Sequence, residues 1–430
     1  MINIAVIGCG TVGSGVVKLL DLNRENIATR LGQEIRIKKI LEKDRHKVIE
    51  LGVPDSYVAN SIEEVVEDEE ISIVVELIGG IEPARSYILE AMKHGKNVVT
   101  ANKDLIAIAG KDLFESAAEH RVDFSFEASV GGGIPIVFPL KQSLAGNKIQ
   151  EVIGIVNGTT NYILTKMSEE DRAFQEVLEE AQKLGYAEAD PSSDVDGYDA
   201  ARKIAILASI AFNSRVTFDD VYVEGIGRIS PLDIKYGKEL GYVIKLLAIA
   251  KEEDGRIQVR VHPAFLPKRH PLAVVSGVYN AVFVRGDAVG DIMLYGHGAG
   301  QMPTASAVVG DIMETARNII GRSTGRVTCT CYNNKEIIPI DGLKNQYYVR
   351  LLVKDRPGVL AAIAGVFGNH NVSLATVLQK DRNNESAQLV LITHRVEEAN
   401  LRDSLAVLGG MSIVESIDNI IRVEGVERDE

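Results

Sequence analysis

The sequence predicts an α/β protein of three domains: an N-terminal doubly wound parallel sheet, a central α+β domain and a C-terminal βαββαβ module. Three observations predict it. At about 150 residues per domain, a chain of 430 residues asks for roughly three. Over residues 1–130, short β-branched runs alternate with amphipathic stretches, which implies parallel strands joined by right-handed crossovers. Over residues 346–430, the order strand, helix, strand, strand, helix, strand is the ferredoxin-like one.

In the first domain, strands are expected at 4–7, 35–41, 71–77 and 97–100, with helices at 13–20, 62–66 and 83–94. Leu77-Ile78-Gly79-Gly80 and Asn102-Lys103 follow strand ends, where open α/β sheets place their ligands. From residue 131 the character changes. Gly131-Gly132-Gly133-Ile134-Pro135 leads into a helix at 136–145, then a strand at 151–156 and helices at 160–167, 173–183 and 197–212. Strands at 257–264 and 281–285 and a helix at 304–319 complete a domain over 131–320, with part of 300–320 closing the first domain. Residues 321–345, polar and holding Gly321, Gly325, Pro339 and Gly342, read as a linker. In the last module, strands are expected at 347–353, 372–378, 387–393 and 412–423, and helices at 357–367 and 397–408.

Composition removes several function classes. Sixty acidic against 47 basic residues leave a formal charge of −13, the wrong sign for a protein that draws affinity from phosphates. Cys9, Cys329 and Cys331 are too few for a disulfide framework, and a lone Cys-x-Cys closes no tetrahedral zinc site. They are expected as buried, reduced thiols. No apolar run reaches the ~18–20 residues that span a bilayer, and the first residues enter a strand without a basic leader. A cytoplasmic protein without membrane or nucleic-acid partners is expected.

Gly8-Cys9-Gly10-Thr11-Val12-Gly13 follows the first strand and opens a helix. The first glycine permits the turn, the second lets a pyrophosphate approach the backbone, and the third lets helix and strand pack closely. Gly15 adds another small residue on the packing side, and Cys9 fills space. Gly8, Gly10, Thr11, Val12 and Gly13 are therefore candidate dinucleotide contacts. Glu42 ends the second strand but lies 29 residues after Gly13, with an insertion around 23–34. Lys43 and Arg45 beside it are the alternative, as partners of a 2′-phosphate, so NAD and NADP both stay open.

Two lysines stand out. Lys103 follows a strand end on the cofactor side, and Lys203 lies one helical turn after Asp199. Alone, that i,i+4 pair reads as a surface ion pair of about 0.3–0.5 kcal/mol. Upstream, however, Glu188, Asp190, Asp194 and Asp196 crowd one loop. Paired carboxylates can offset the water an amino-acid ammonium loses on binding, and a nearby lysine can protonate an oxygen that gains charge during hydride transfer.

With these residues in view, the chain resembles homoserine dehydrogenase over nearly its whole length, with a C-terminal ACT domain. The resembling segments are 8–13, 100–103, 127–135, 157–164, 185–199, 201–203 and 298–304. The resemblance implies a Rossmann-type cofactor domain, a domain for substrate and dimerisation, and reversible NAD(P)H-dependent reduction of L-aspartate 4-semialdehyde to L-homoserine. It makes Lys203 the proton donor, Lys103 a second lysine at the reacting centre and near the nicotinamide, and Asp199 a member of the same centre. Glu188 and Asp199 would hold homoserine, with Asp194 and Tyr186 close by, and Gly185, Glu188 and Gly300 would contact the cofactor. It also implies a sodium ion on the backbone carbonyls of Glu127, Val130, Gly132 and Ile134, which residue patterns alone read only as a turn. A homo-oligomer, dimer or tetramer, follows from the same resemblance.

Asp355-Arg356-Pro357-Gly358-Val359-Leu360 resembles the ligand turn of ACT domains, with 369–372 as the other wall. Threonine is the effector expected through Gly358 and Asn371, and deletion of 346–430 is expected to abolish inhibition while sparing activity. The alternative is an assembly module with no ligand. His297 reads as positional, and His262, His270 and His370 lack metal-spaced partners. An aldehyde oxidation through a thioester would need a cysteine at the substrate, and none is so placed. A purely sensing regulator would need a DNA- or partner-binding segment, which the acidic balance does not supply.

Overall fold

The computed structural model describes residues 1–383 and 385–425. Among them no helix is long and apolar enough to cross a membrane. The chain forms two compact units, one of Met1–Val152, Arg202–Asp220 and Asn280–Lys335, the other of Ile153–Ala201, Val221–Tyr279 and Glu336–Glu430.

The first unit is built on a six-stranded sheet in the order Val58–Ala59, Ile35–Leu41, Ile2–Ile7, Ile71–Glu76, Asn97–Thr100, Phe124–Ser125. Every pairing is parallel. The order reverses beside Ile2–Ile7, so the crevice for a ligand opens at the end of that strand, at Gly8. The run 23–34, read as an insertion, holds the helix Arg24–Leu31, closed by Gly32 at φ 76°. The long helix Lys103–His120, absent from the sequence expectation, starts where Asn102 accepts from the Leu105 N–H. Helix Gln301–Ile320 packs on Thr11–Leu22, and Val308, Ile312 and Ala316 join Val16, Leu20 and Ile27 in one core. A Cβ on Gly15 would lie 2.7 Å from the Gln301 carbonyl oxygen, so this contact admits only glycine.

The helix expected at 136–145 is shorter, a wide π-type turn over Pro139–Ser143. Proline at its start leaves that turn without one backbone donor, and the Glu127 carboxylate, ten residues before Val137, accepts from the Val137 and Phe138 N–H groups that lead into it. Cys9 is buried, whereas Cys329 and Cys331 are only partly so. That corrects the expectation of three buried thiols, because 327–331 is irregular chain lying over the unit's surface.

In the second unit, Tyr242–Glu253 and Arg256–Pro267 form an antiparallel hairpin through Asp254 and Gly255, both at positive φ. Arg256–Pro267 pairs in parallel with Val414–Val423, and the sheet continues through Lys344–Lys354, Ser386–Thr393 and Leu374–Asn383. The C-terminal module is therefore βαββαβ, with helices Val359–Asn369 and Glu398–Gly409 covering a core of Val349, Leu351, Ile363, Phe367, Leu389 and Leu405. Its last strand extends the hairpin's sheet. Within 321–345, the Asn333 N–H donates to the Asn213 carbonyl at 2.8 Å in the first unit, and Glu336 accepts from the Ile257 N–H at 2.8 Å in the second.

Buried ions line the seam between the hairpin and the module. Arg260 donates to Glu424 at 2.7 Å and, through Nε, to His262 Nε2 at 3.1 Å. His262 is wholly buried, and burial first, then Arg422 and Arg260, depresses it to about 3. The unfolded chain, with histidine near 6.5, thus binds more protons than the folded one from about pH 6.5 downward, so stability falls as pH falls through that window. Acidification from pH 7 to 5 is expected to cost about 2 kcal/mol through this group, above the range where carboxylates titrate. Urea midpoints against pH check it, with His262→Gln flattening the slope; parallel profiles would exclude the histidine.

Candidate functional site

Each unit brings together part of the predicted set. In the first unit, strand Ile2–Ile7 runs into Gly8 at φ 95°, where a Cβ would press to 2.9 Å from the Leu77 carbonyl oxygen. A Cβ on Gly13 would stand 2.0 Å from the Gly8 oxygen, so the helix start can fold over the loop only without a side chain there. Space beside Gly10 is open, and no side chain caps Thr11–Leu22, which leaves the N–H groups around Thr11 and Val12 facing an anion's approach. Glu42 holds this loop: its two carboxylate oxygens accept from the Cys9 N–H at 2.6 Å and the Asp44 N–H at 3.0 Å. Lys43 is exposed, and Arg45 donates to Asn60 at 2.6 Å. Burial, then Glu42, pushes the Cys9 thiol up to about 12, which makes it inert filler.

At the neighbouring strand ends, Glu76 accepts from Thr100 Oγ1 at 2.6 Å and from the Ile78 and Gly79 N–H groups. Burial raises the Glu76 carboxyl against those bonds. It fixes both turns that flank the crevice. Sequence reasoning passed over it, although a glutamate closing the apolar run Ile71–Glu76 was the available signal. Asn102 donates to the Gly80 carbonyl at 2.7 Å while capping the helix that Lys103 begins. Arg202 Nε lies 3.1 Å from Asp104, which ties the residue after Lys103 to the residue before Lys203. The lysine-bearing segments are thereby neighbours. Gly300, at φ 126°, starts helix Gln301–Ile320, whose Gln301 reaches Ser14 Oγ at 2.9 Å.

The glycine turn lies in the same unit. Gly131 and Gly132 have φ 74° and 56°, and a Cβ on Gly132 would sit 2.4 Å from the Gly298 oxygen. The Gly133 N–H donates to the His297 carbonyl at 3.0 Å, and the Glu127 carboxylate accepts from Val137 and Phe138 at 2.8 and 2.6 Å. Val130 and Ile134 are buried in this turn. Its side chains are committed elsewhere, so backbone carbonyls are the oxygen donors a hard cation would find. Among the described residues, no group of three or more His, Cys, Asp or Glu is placed to hold a metal.

In the second unit, Asn157 is the organiser. Its Oδ1 caps helix Gly158–Glu170 by accepting from the Thr160 N–H at 2.9 Å. Its Nδ2 donates to Asp194 at 2.7 Å and Asp199 at 2.9 Å. One amide thus draws two carboxylates together, with Asp199 buried and Asp194 half-buried. In the sequence Asn157 only opens the resembling segment 157–164; the available signal was an N-cap asparagine whose NH₂ group the cap leaves spare. Thr159 Oγ1 donates to the Tyr186 carbonyl at 2.6 Å, and the Tyr162 and Tyr186 rings stand 5.0 Å apart. Gly185, at φ 76°, and Glu188 are exposed on the same turn. Lys203 belongs to the helix Tyr198–Ala211 that Asp199 also occupies, but falls in the first unit.

Gly358, at φ 89°, precedes helix Val359–Asn369, and Asn371, at φ 57°, follows it. Eleven helical residues separate them by roughly 16 Å, so one copy of the chain cannot close both on a single amino acid.

Comparison with known proteins covers the whole chain. Residues 8–127 match the family model for the homoserine dehydrogenase NAD-binding domain, 135–313 the homoserine dehydrogenase model, and 347–409 the ACT domain. The homoserine dehydrogenases of Synechocystis and Bacillus subtilis are 46% and 42% identical, over 98% and 99% of this chain and 99% and 98% of theirs. The crystal structure of a homoserine dehydrogenase from Thiobacillus denitrificans matches with a TM-score of 0.93 at 41% identity, covering 98% of both chains. A hyperthermophilic archaeal homoserine dehydrogenase in complex with NADPH matches 73% of this chain and 97% of its own, at TM-score 0.63 and 30% identity.

Proposed function

This chain belongs to the homoserine dehydrogenase family, and we propose that it interconverts L-aspartate 4-semialdehyde and L-homoserine, under control by threonine. The observation that carries the substrate reading is the Asn157-centred pair of Asp194 and Asp199. Two fixed carboxylates suit the ammonium of an amino-acid substrate, and Glu188 and Tyr186 stand on the adjoining turn. NAD(P)H, when bound along the Gly8–Gly13 loop, supplies the hydride. Lys203 gives its proton to the aldehyde oxygen as charge gathers there, and Lys103 adds a second positive charge near the nicotinamide. The backbone carbonyls of Glu127, Val130, Gly132 and Ile134 would hold a sodium ion, whose charge would tie the glycine turn together. The bound NADPH of the archaeal relative supports NADP as one acceptable cofactor.

Because Gly358 and Asn371 lie at opposite ends of one helix, threonine binds where the Gly358 turn of one copy meets the Asn371 turn of another, and the enzyme is at least a dimer. Deleting 346–430 is a poor test of this, since it strips a strand from Arg256–Pro267 and leaves Asp233 without Arg350. Gly358→Asp is the better variant: space beside that residue is open, aspartate tolerates the left-handed backbone, and its charge repels the effector's carboxylate. Oxidation of homoserine, followed by nicotinamide absorbance with each cofactor, tests the activity; no reduction of either would overturn it. Threonine is expected to inhibit the wild type and to lose at least about tenfold in potency on Gly358→Asp, a change of about 1.4 kcal/mol. An indifferent wild type would end the regulatory reading.

A further inference from the structure

A cavity of about 540 Å³ in the first unit takes none of the residues proposed for catalysis. Its walls are apolar, from Phe114, Phe126, Ile206 and Ile210, and its polar lining includes Lys141 and the two thiols of Cys329 and Cys331. Lys141 is held between aromatic faces, its Nζ 5.5 Å from the Phe114 ring centre and 5.3 Å from that of Phe126. No carboxylate lies within ion-pairing distance of it among the described residues. Burial presses the Lys141 ammonium towards its neutral form, against the charges of Cys329, Cys331, Asp311 and Asp123, so a thiolate beside it gains a counter-charge and helps keep the lysine protonated.

We propose that Cys329 is a reactive thiolate site for small soft electrophiles, peroxides first among them, with Cys331 as its resolving thiol. The geometry is specific. The Cys331 N–H donates to Cys329 Sγ at 3.4 Å, and the chain bends there through a Tyr332 N–H to Thr330 carbonyl bond of 3.0 Å. The Cys331 thiol stands 3.9 Å from the Ser209 carbonyl, so its single proton has that oxygen and Cys329 Sγ as alternative acceptors. The hydrogen bonds from Cys331 and the charge of Lys141 together hold the Cys329 thiol below the ordinary thiol range, against its burial. Cys9, shut inside the glycine loop, serves as an internal reference for an unreactive thiol.

With hydrogen peroxide, Cys329 Sγ attacks one oxygen, the O–O bond breaks, and the leaving hydroxide takes a proton and departs as water. The sulfenic acid left on Cys329 is then attacked by Cys331 Sγ: the S–S bond forms, the S–O bond breaks, and the thiol proton leaves with the hydroxide as a second water. Two thiols lose two electrons and two protons to one peroxide.

The test uses the full-length enzyme, iodoacetamide and hydrogen peroxide, read by peptide mass spectrometry. At neutral pH Cys329 is expected to alkylate about tenfold faster than Cys331, and Cys9 not at all, because an ordinary thiol is only a few per cent ionised there. Peroxide should join Cys329 to Cys331 within one chain, and Cys331→Ser should instead accumulate a dimedone-trapped sulfenic acid on Cys329. Lys141→Met should slow Cys329 alkylation, with Lys141→Arg, which keeps the charge, restoring it if methionine impairs folding. Equal alkylation of Cys329 and Cys331, or a disulfide formed only between chains, would overturn the proposal.

Discussion

Lys203→Ala is expected to lower kcat by about two to four orders of magnitude while leaving cofactor affinity within about twofold, since a positioned general acid contributes that much. The residue sits half-exposed in the helix Tyr198–Ala211, where alanine is the best helix former, so the fold should tolerate the change. Its neighbour Arg202 keeps the Asp104 contact, and the lysine-bearing segments stay together. Lys203→Arg should be nearly as damaging, because guanidinium holds its proton too tightly to give it up and points it differently. Steady-state kinetics paired with a fluorescence titration of NADPH separates the step from binding. Turnover near the wild-type value in Lys203→Ala would falsify the general-acid role.

The parallel sheet and the βαββαβ module were legible because their signals are local. A β-branched run such as Ile35–Leu41 marks a strand whatever surrounds it, and the glycine spacing at Gly8, Gly10 and Gly13 carries its own steric reason. Helix Lys103–His120 escaped notice because its apolar positions are diluted by Gly110 and by polar residues, and its start depends on the Asn102 cap. The hairpin strand Tyr242–Glu253 was missed for the opposite reason. Buried on consecutive residues from Ile244 to Ala250, it shows no period-two alternation.

The candidate site divides along the same line. Glycine turns and the two lysines were visible as types at spacings. Asn157's hold on Asp194 and Asp199, and Glu76's hold on Thr100, join residues 24 to 42 positions apart. No spacing rule reaches across such separations. Cys329 and Cys331 were visible as residues, but their meeting with Lys141 depends on how irregular chain lies over Phe114 and Phe126.

The second large effect falls on Asp233, where Asp233→Ala is expected to destabilise the second unit by about 3–5 kcal/mol. The carboxylate is wholly buried and accepts from Arg350 Nε at 2.7 Å, Asn419 Nδ2 at 2.7 Å, Tyr348 at 3.2 Å and Ser230 Oγ at 2.7 Å. Burial works against its ionisation, but the bonds from Arg350 and Asn419 outweigh it and hold the carboxyl below its ordinary range. Removing the side chain leaves the Arg350 guanidinium, itself nearly buried, with Asp418 as its remaining carboxylate at 2.7 Å. It also undoes the capping box that starts helix Pro231–Glu239, since Ser230 and Asp233 cap each other. A double-mutant cycle separates the two costs. Asp233→Leu combined with Arg350→Met should be less destabilised than Asp233→Leu alone, because no guanidinium is left short of a partner and the partly exposed Asp418 keeps its bonds from Gln388 and Ser416, while Ser230→Ala should cost only about 1 kcal/mol. Urea unfolding of the four proteins reads the coupling directly. Additive single effects would mean that Asp233 acts on the helix cap alone and that the ion pair does not join strand Lys344–Lys354 of the C-terminal module to helix Pro231–Glu239.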